Sequence, residues 1–285
     1  MATPTTDKDV LVVIGAGGMG IAIARRIGAG RVIVLADINQ GLLDDAAANL
    51  AREGHHVVSR KVDVTSRSSI ASVVEVATST GRLTAVAHTA GLSPEQASTE
   101  AILAVDLLGT ALVIDEFGRV IEPGGAAVVI ASMAGHVYPA LDPDVEFQLA
   151  NTPADELLDL EICSPAHIST AAQAYPFAKR ANQIRVAAAA ASWGLRGARV
   201  NSISPGIIST DMGRLELAGG SGRLIQTMID NVGLRRIGTP EDIAAAAEWL
   251  LGPLSSFITG TDILVDGGVV AAIRTGTMDL PQQPG

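Results

Sequence analysis

The amino-acid sequence predicts an α/β fold in which helices cover both faces of one parallel sheet. Seven apolar runs of strand length alternate with longer stretches of helical periodicity, and most of these runs are apolar almost without interruption. Strands of that kind are typical of a parallel sheet buried on both faces and joined by right-handed crossovers. No internal repeat or low-complexity linker divides the 285 residues. We therefore predict a doubly wound parallel sheet in a single domain, residues 1–285.

The predicted strands, in chain order, are Val10–Ile14, Val32–Ala36, Val57–Val62, Leu83–Ala87, Ala126–Ala131, Ala198–Ile203 and Asp262–Val265. The helices predicted between them are Met19–Gly28, Gly41–Glu53, Ser68–Thr80, Thr99–Ile121, Ala172–Trp193 and Pro240–Leu251. The last helix has the clearest start signal. Thr239 supplies a capping hydroxyl, Pro240 takes the first helical position, and acids fill the first turn.

One segment, residues 139–174, breaks this alternation between the fifth strand and the helix at Ala172. It has no Lys or Arg and carries seven acids, Asp142, Asp144, Glu146, Asp155, Glu156, Asp159 and Glu161. Thr152 to Asp155 read as a capped helix start, so we expect two short surface helices. This acidic insertion could form a substrate wall, a subunit interface or a solvated decoration. The tail, residues 275–285 with Pro281 and Pro284, is expected to be irregular.

Composition and charge exclude several classes of partner. A net charge of −10 and a pI near 4.9 oppose binding to nucleic acid or to an anionic membrane. The single cysteine, Cys163, allows no intrachain disulfide and is expected to be a half-buried thiol. The first residues lack the pattern of a signal peptide, and no apolar run reaches the roughly 20 residues that span a bilayer. The prediction is a cytoplasmic protein without a metal centre.

A glycine-rich loop follows the first predicted strand. It reads Gly15-Ala16-Gly17-Gly18-Met19-Gly20 and opens a helix, where free backbone N–H groups and the helix dipole favour a pyrophosphate. Asp37 closes the second strand about 20 residues later, where a carboxylate can accept hydrogen bonds from ribose hydroxyls. It would repel a 2′-phosphate, and Ile38 supplies no cation, so NAD is favoured over NADP. The alternative is a plain tight turn, with Asp37 capping the next helix.

Three further side chains stand where chemistry is expected. Tyr175 and Lys179 are four residues apart on a predicted helix, so they share a face, and an adjacent ammonium can stabilise a phenolate. Ser132 ends the fifth strand, at the sheet edge where such folds bind ligands. Asp63, at the end of the third strand, could contact an adenine amino group or cap the helix that begins near Thr65.

These features occur in the order seen in the short-chain dehydrogenase/reductase family, which this chain resembles from Asp9 to about Gly268. The resemblance is carried by the residues already named and by Val64, His88-Thr89-Ala90-Gly91, Tyr175-Pro176-Phe177-Ala178-Lys179, Asn201-Ser202-Ile203-Ser204-Pro205-Gly206 and Val265-Asp266-Gly267-Gly268. It implies a Rossmann-type domain that uses NAD or NADP to interconvert alcohols and carbonyls.

The resemblance also implies a role for each matching residue. Tyr175 would be the general acid/base, and Lys179 would lower the phenol's pKa and bind the nicotinamide ribose. Ser132 would hydrogen-bond the substrate oxygen. The remaining cofactor contacts would come from the glycine loop, from the carboxylates of Asp37 and Asp63, and from Ile38, Val64, Ala90, Gly91, Pro205, Gly206, Ile207 and Thr210.

The chain departs from the family pattern at three places. Ile14 precedes the glycine loop where threonine is usual, and the loop is one residue tighter between its first two family glycines, Gly15 and Gly18. His88 replaces a usual asparagine. Asp106 occupies the position of the helix asparagine in the proton relay. Its main-chain carbonyl could still hold a water, and its charge is expected to alter the pKa of Lys179.

The substrate expected from the sequence is a hydrophobic alcohol or ketone. The insertion, the run Trp193 to Asn201 and the extended tail are similar to the bacterial 3α-hydroxysteroid dehydrogenase/carbonyl reductase branch. The segment Thr210–Arg236 would be an aliphatic lid, with Leu215, Leu217, Leu224, Ile225 and Met228. A homodimer or homotetramer is expected. Two other hypotheses remain: a catalytically weak NAD-binding regulator of the same fold, and a methyltransferase with a similar loop.

Overall fold

Seven strands form one parallel sheet in the order β3-β2-β1-β4-β5-β6-β7 in the computed structural model, which describes residues 7–220, 222–231 and 233–278. The strands are β1 (Asp9–Ile14), β2 (Val32–Asp37), β3 (His56–Lys61), β4 (Arg82–His88), β5 (Ala126–Ile130), β6 (Arg199–Pro205) and β7 (Asp262–Val265). Each predicted strand is present, with its ends within two residues of the prediction. The doubly wound α/β fold is therefore confirmed.

The helices that surround the sheet are α1 (Gly18–Ile27), α2 (Gln40–Arg52), α3 (Arg67–Thr80), α4 (Thr99–Ile102), α5 (Thr110–Gly118), α6 (Met133–Val137), α7 (Pro143–Asn151), α8 (Ala171–Gly194), α9 (Asp211–Ala218), α10 (Gly222–Asn231), α11 (Pro240–Leu251) and α12 (Val269–Arg274). The start of α11 is as predicted, with Thr239 and Asp242 forming a reciprocal capping box. Within the described residues, none of the helices combines the length and apolar character needed to cross a membrane.

The alternation of side chains along the strands builds a core on each face of the sheet. In β1, Val10, Val12 and Ile14 join the core beneath α3, α5 and α8, while Leu11 and Val13 join the one beneath α1, α2 and α11. All five are fully buried. Burial of such a side chain contributes about 1.5–3 kcal/mol, so both cores hold the strand ends in fixed positions.

The order of the strands reverses between β1 and β4. Ile14 at the end of β1 pairs with Ala36 of β2 on one side and with His88 of β4 on the other. Connections leave β1 and β4 in opposite directions, which opens a crevice at the carboxyl edge of the sheet. The glycine loop and the residues after β4 border this crevice.

The helix predicted over Thr99–Ile121 is wrong in one respect. A π-helical turn, Leu103–Gly109, separates α4 from α5. Asp106 lies in this turn, fully buried, and its Oδ1 accepts a hydrogen bond of 2.8 Å from the backbone N–H of Leu92. A π-turn adds about one residue to a local turn and leaves the apolar pattern on either side helical, so periodicity does not reveal it.

The acidic insertion contains one α-helix, α7, followed by two 3₁₀ turns at Ala154–Asp159 and Glu161–Cys163. The second of the two expected short helices is present as a 3₁₀ helix, Ala154–Asp159, but the predicted capping role of Thr152 is wrong because this residue ends α7. Four side chains of the insertion, Leu149, Ala154, Leu157 and Cys163, are buried in the core. Burial raises the pKa of the Cys163 thiol to about 11.

Three arginines outside the insertion fasten it to the domain. Arg67 pairs with Asp155 at 2.7 Å and Arg180 with Glu146 at 2.6 Å. Arg185, which is buried, donates hydrogen bonds to the backbone carbonyls of Leu149 and Thr152. The insertion has no Lys or Arg of its own, so the cations that pair with it come from α3 and α8.

The chain beyond β7 is ordered further than expected. Helix α12 follows β7, and Met278 is buried against Met228 of α10 and Val269 of α12. Residues 275–278 form turns and contain no helix or strand. In that respect alone they match the expected irregular tail. The rest of that tail, with Pro281 and Pro284, lies outside the described residues.

Candidate active site

The glycine loop closes the end of β1 in a conformation that requires glycine at two positions. Gly15 has φ +104°, and a Cβ there would lie 2.7 Å from the backbone nitrogen of Ala90. A Cβ at Gly20 would collide with the carbonyl oxygen of Gly15. At Gly17, in contrast, a Cβ would meet nothing, because this residue faces the open crevice. The loop is thus tightly packed against the chain after β4 and open on the side that faces the crevice.

The first turn of α1 offers unpaired backbone donors to the crevice. Gly17 is the N-cap and contributes no side chain, and the first hydrogen bond of the turn runs from Ile21 N–H to the Gly17 carbonyl. In the described part of the chain, the N–H groups of Gly18, Met19 and Gly20 meet no acceptor. Such a helix start favours an anion.

Asp37 stands across the crevice from these donors. Its Oδ2 accepts a hydrogen bond of 2.7 Å from Ala16 N–H and its Oδ1 one of 2.8 Å from Asn39 N–H. Asn39, not Asp37, caps α2 by accepting from Leu42 N–H. The capping alternative for Asp37 is therefore wrong. Each carboxylate oxygen keeps lone pairs for hydroxyl groups of a ribose.

The residues of this crevice fit a dinucleotide. A groove of about 580 Å³ brings together the loop, Asp37 and the chain after β4, and most of the predicted cofactor residues line it, namely Gly15, Gly17, Gly18, Met19, Gly20, Asp37, Ala90, Gly91 and Thr210. Amide donors suit a pyrophosphate, and the carboxylate suits an adenosine ribose. These residues would hold the two ends of the adenosine diphosphate half of a nicotinamide cofactor.

Four predicted cofactor residues line neither this groove nor the smaller cavity beside it. Ile38 is 60% exposed, and Val64 is buried against Gly109. Asp63 uses Oδ1 to accept from both the N–H and the hydroxyl of Thr65, in the turn before α3. Ile207 packs with Met228 and Val269. Their contacts with a cofactor stay predictions.

A smaller cavity adjoins the groove and brings together three of the four predicted catalytic side chains, all but Asp106. Ser132, Tyr175 and Lys179 line it, together with Pro205 and Gly206 from the end of β6. Helix α8 begins with a capping box between Thr170 and Gln173, and Tyr175 and Lys179 follow one turn apart. The Lys179 nitrogen lies 5.4 Å from the centre of the Tyr175 ring. The sheet edge and one helix thus converge on this cavity.

Ser132 owes its position to the strand that precedes it. It follows β5, caps the short helix α6, and accepts a hydrogen bond of 3.1 Å from Ala134 N–H. Its hydroxyl acts to lower the pKa of Tyr175, because a donor beside the phenol favours the charged form. The serine hydroxyl and the phenol therefore address the same space.

Lys179 and Asp106 form a buried ion pair behind Tyr175. The Lys179 nitrogen lies 3.3 Å from Oδ2 of Asp106 and donates to the carbonyl of Ile130 at 3.4 Å. Burial acts to lower the pKa of Lys179, but Asp106, Tyr175 and Glu216 together outweigh it and the pKa is raised. Burial raises the pKa of Asp106, against the opposing charge of Lys179. The expected effect of Asp106 on the pKa of Lys179 is thus present, and the structure shows that Asp106 raises this pKa.

The pKa of Tyr175 differs from the sequence-based expectation. Lys179 and Ser132 both lower it, as expected, but burial is the largest effect and raises it. Glu216 and Asp106 raise it further by adding negative charge. The pKa of Tyr175 therefore lies above its ordinary value. The sequence did not reveal Glu216, which approaches from helix α9.

Glu216 and His88 are the two titratable residues that sequence reasoning left without a role. Glu216 lines the cavity with Met212, one helical turn away on α9. Met212 and Glu216 are spaced i, i+4 after the helix cap Thr210, and this spacing is the sequence signal that could have identified Glu216. His88 ends β4, where its Nε2 lies 3.1 Å from the Thr110 hydroxyl, and burial lowers its pKa to about 3. His88 is therefore neutral and structural.

The lid residues named from the sequence are placed differently from the expectation. None of Leu215, Leu217, Leu224, Ile225 and Met228 lines the cavity with Tyr175. Leu215 is 52% exposed, and Leu224 and Met228 pack against α12. The segment instead presents Met212, Gly213 and Glu216 to the cavity. No residue of the acidic insertion lines this cavity either, so the insertion does not form its wall.

Comparison with known proteins agrees with this geometry. A family model described as "Enoyl-(Acyl carrier protein) reductase" matches residues 14–142 and 156–270, and the break falls inside the acidic insertion. The short-chain dehydrogenase/reductase bsc3 of Alternaria brassicicola is 42% identical over 271 residues, which cover 95% of this chain and 98% of that protein.

More distant relatives carry substrate names. Galactitol 2-dehydrogenase (L-tagatose-forming) of Cereibacter sphaeroides is 31% identical over 92% of this chain and 95% of its own. The 3-alpha-hydroxysteroid dehydrogenase/carbonyl reductase of Comamonas testosteroni is 27% identical over 85% of this chain and 98% of its own.

A solved structure of a short-chain type dehydrogenase/reductase from Mycobacterium ulcerans superposes with a TM-score of 0.74 at 25% identity, covering 94% of this chain and 91% of that one. The fold and much of the sequence are thus shared with enzymes of one group. The chain belongs to the short-chain dehydrogenase/reductase family of oxidoreductases.

Proposed function

We propose that this protein is an NAD-dependent oxidoreductase that interconverts a secondary alcohol and a ketone, with Tyr175 as general acid/base. Enzymes of this family act on alcohols and ketones with a nicotinamide cofactor, so the proposal concerns the cofactor type, the residues and the substrate. The observation that carries it is one cavity lined by Ser132, Tyr175 and Lys179 beside a groove fit for a dinucleotide.

Each of these side chains has a distinct task. In oxidation, the Tyr175 phenolate takes the hydroxyl proton of the alcohol; in reduction, the phenol returns it to the carbonyl oxygen. Ser132 donates a hydrogen bond to that oxygen and fixes its position. Lys179 supplies the positive charge that stabilises the phenolate. The nicotinamide cofactor, when bound, accepts or supplies the hydride.

Asp106 is proposed to hold Lys179 in place and to take part in proton exchange behind Tyr175. Its carboxylate contacts the ammonium at 3.3 Å, and the residue lies in a π-turn whose backbone departs from α-helical hydrogen bonding. Turns of this kind are frequent at functional sites. A carboxylate here replaces the neutral amide of the family pattern.

NAD is proposed over NADP because of the charge at the end of β2. Asp37 lines the groove, and a 2′-phosphate on the adenosine ribose would meet its carboxylate as a like charge. Arg25 also lines the groove, but its guanidinium is held by Glu53 in a hydrogen bond of 2.6 Å. Because Arg25 is paired with Glu53, the carboxylate of Asp37 is the dominant charge beside the adenosine ribose.

The substrate is proposed to have an apolar body, as a hydroxysteroid or a cyclic alcohol has. Leu92 and Met212 line the cavity near Tyr175, and the likeness to the Comamonas 3-alpha-hydroxysteroid dehydrogenase/carbonyl reductase supports the same class. The raised pKa of Tyr175 favours a second candidate, a catalytically weak NAD-binding regulator of the same fold.

One experiment tests these proposals together. Purified protein is mixed with NAD or NADP and a panel of hydroxysteroids and cyclic secondary alcohols, and the reduced cofactor is followed by its absorbance. Steady NADH formation with at least one alcohol is the expected result. Tight NAD binding without turnover across the panel at alkaline pH would favour the regulator, and adenosylmethionine binding in place of NAD would contradict both.

Self-association into a homodimer or homotetramer is a further part of the proposal. The last turn of α11 and the segment that joins it to the edge strand β7 expose three large apolar side chains, Trp249 at 39%, Leu254 at 87% and Phe257 at 102%. An apolar patch beside an unpaired strand edge is typical of a protein interface. Analytical ultracentrifugation is expected to show a dimer or tetramer. We also propose a cytoplasmic location, which suits the free, buried Cys163.

A further inference from the structure

Helix α9 presents a carboxylate to the catalytic cavity. Met212, Gly213 and Glu216 line this cavity together with Ser132 and Tyr175, whereas Leu215 on the other side of the helix is 52% exposed. No residue of α9 is fully buried. Glu216 is therefore not placed by packing of the helix around it, and its side chain forms part of the surface that a bound substrate would meet.

Among the residues that the structure describes, Glu216 has no hydrogen-bond or salt-bridge partner. In the described part of the chain, its carboxylate accepts no hydrogen bond and forms no salt bridge, and the only cation that acts on it is Lys179, already paired with Asp106 at 3.3 Å. Burial raises the pKa of Glu216, and the negative charge of Glu95 raises it further.

Glu95 adds to the negative charge at the same end of the helix. A Cβ at Gly219, the residue that ends α9, would lie 2.6 Å from the carboxyl carbon of Glu95, so the glycine lets this carboxylate approach the helix end. Two carboxylates thus face one region without a protein cation between them. Both are costly to remove from water unless a donor reaches them.

The remaining source of a donor at the cavity is the substrate itself. We propose that Glu216 is a specificity-determining residue that accepts a hydrogen bond from a second hydroxyl group of the substrate, while the reacting oxygen lies on Ser132 and Tyr175. The substrate is then a diol, or a hydroxyketone in the reverse direction. This inference rests on the proposed function, because it needs the reacting carbinol to be held at Tyr175.

The same geometry predicts which substrates are rejected. A carboxylate substituent in place of the second hydroxyl would meet Glu216 and Glu95 as a like charge. An unsubstituted ring would leave Glu216 without water and without a donor. The discrimination between substrates therefore depends on one substituent of an otherwise identical ring. A matched series of ring alcohols can test it.

The test compares kcat/KM for cyclohexanol, for 1,2-, 1,3- and 1,4-cyclohexanediol, and for the corresponding hydroxycyclohexanecarboxylates, with NAD. The variants are Glu216→Gln, Glu216→Leu and the distant surface control Glu75→Gln. In the wild-type protein at least one diol is expected to exceed cyclohexanol by about tenfold, as for a hydrogen bond to a charged group, and the carboxylates are expected to be poorest.

Glu216→Leu is expected to bring the ratio of diol to cyclohexanol to about one, Glu216→Gln to an intermediate ratio, and Glu75→Gln to leave it unchanged. Glu216→Gln is also expected to improve the carboxylates relative to cyclohexanol. Turnover of the ring alcohols without preference for any diol, or a preference that survives in Glu216→Leu, would contradict the inference alone. Failure of every ring alcohol while NAD binds would contradict the proposed function and the inference with it.

Discussion

Replacing Asp106 by asparagine tests the buried pair behind Tyr175. The substitution keeps the shape and a carbonyl oxygen for Leu92 N–H, and removes the charge that lies 3.3 Å from the Lys179 nitrogen. At an effective dielectric constant of about 20, that attraction is on the order of 5 kcal/mol, part of which offsets the desolvation of both groups. Breaking such a buried pair costs about 3–5 kcal/mol in stability. We expect the free energy of unfolding without cofactor to fall by about 3 kcal/mol.

The same change has an opposite effect on proton transfer. Asp106 raises the pKa of Tyr175, so its neutralisation lowers that pKa. Alcohol oxidation requires the phenolate, and its rate rises with pH as Tyr175 loses its proton. The rising limb of kcat against pH is therefore expected to move to lower pH in Asp106→Asn, while the plateau stays within a few-fold of wild type.

Urea denaturation and a pH profile of kcat measure these two effects. Asp115→Asn is the matched control, since Asp115 lies on α5 beside Arg67 and Arg185 and does not line the cavity. A limb that stays in place or moves to higher pH refutes the electrostatic reasoning. A gain of plateau turnover well beyond a few-fold shows instead that the native carboxylate impairs the relay.

Three further substitutions test the cofactor groove and the insertion. Asp37→Ser is expected to reduce the preference for NAD over NADP in kcat/KM by about tenfold or more, because a charged acceptor for the ribose is lost; an unchanged ratio would argue against that role. Gly20→Ala places a Cβ against the Gly15 carbonyl, so NAD affinity measured by calorimetry should collapse, and near-normal affinity would refute the packing argument. Arg185→Ala removes hydrogen bonds to two backbone carbonyls of the insertion. It should lower the free energy of unfolding by about 2–4 kcal/mol while kcat of the folded protein stays within a few-fold of wild type. A loss of kcat with normal stability would instead place the insertion in the active site.

The sequence predicts the sheet, its strands and most helices because their determinants are local. Runs such as Val10–Ile14 are buried on both faces, and the start of α11 carries its own capping residues. The π-turn around Asp106 escaped prediction because it depends on a tertiary contact, the hydrogen bond from Leu92. The type of the second helix of the insertion was not predictable either, since a 3₁₀ helix held by Arg67 at Asp155 satisfies the same apolar spacing as an α-helix.

The candidate site divides in the same way. Tyr175 and Lys179 are paired by helix geometry alone, and Gly15 and Gly20 by a local turn. Glu216 reaches the cavity only because α9 folds over the edge of the sheet, from a segment whose leucines suggested an apolar lining. The raised pKa of Tyr175 could not be predicted either, because it sums burial with the charges of Lys179, Glu216 and Asp106, which come from three separate elements of the fold.

The most direct test of the central claim is the Tyr175→Phe variant, studied by pre-steady-state NADH formation and by NAD binding. Removing the hydroxyl is expected to slow hydride transfer by about a thousandfold, within the range for loss of a general acid/base, and to change the NAD dissociation constant by less than about tenfold. Loss of NAD affinity with unchanged turnover in saturating NAD would contradict the assignment of Tyr175.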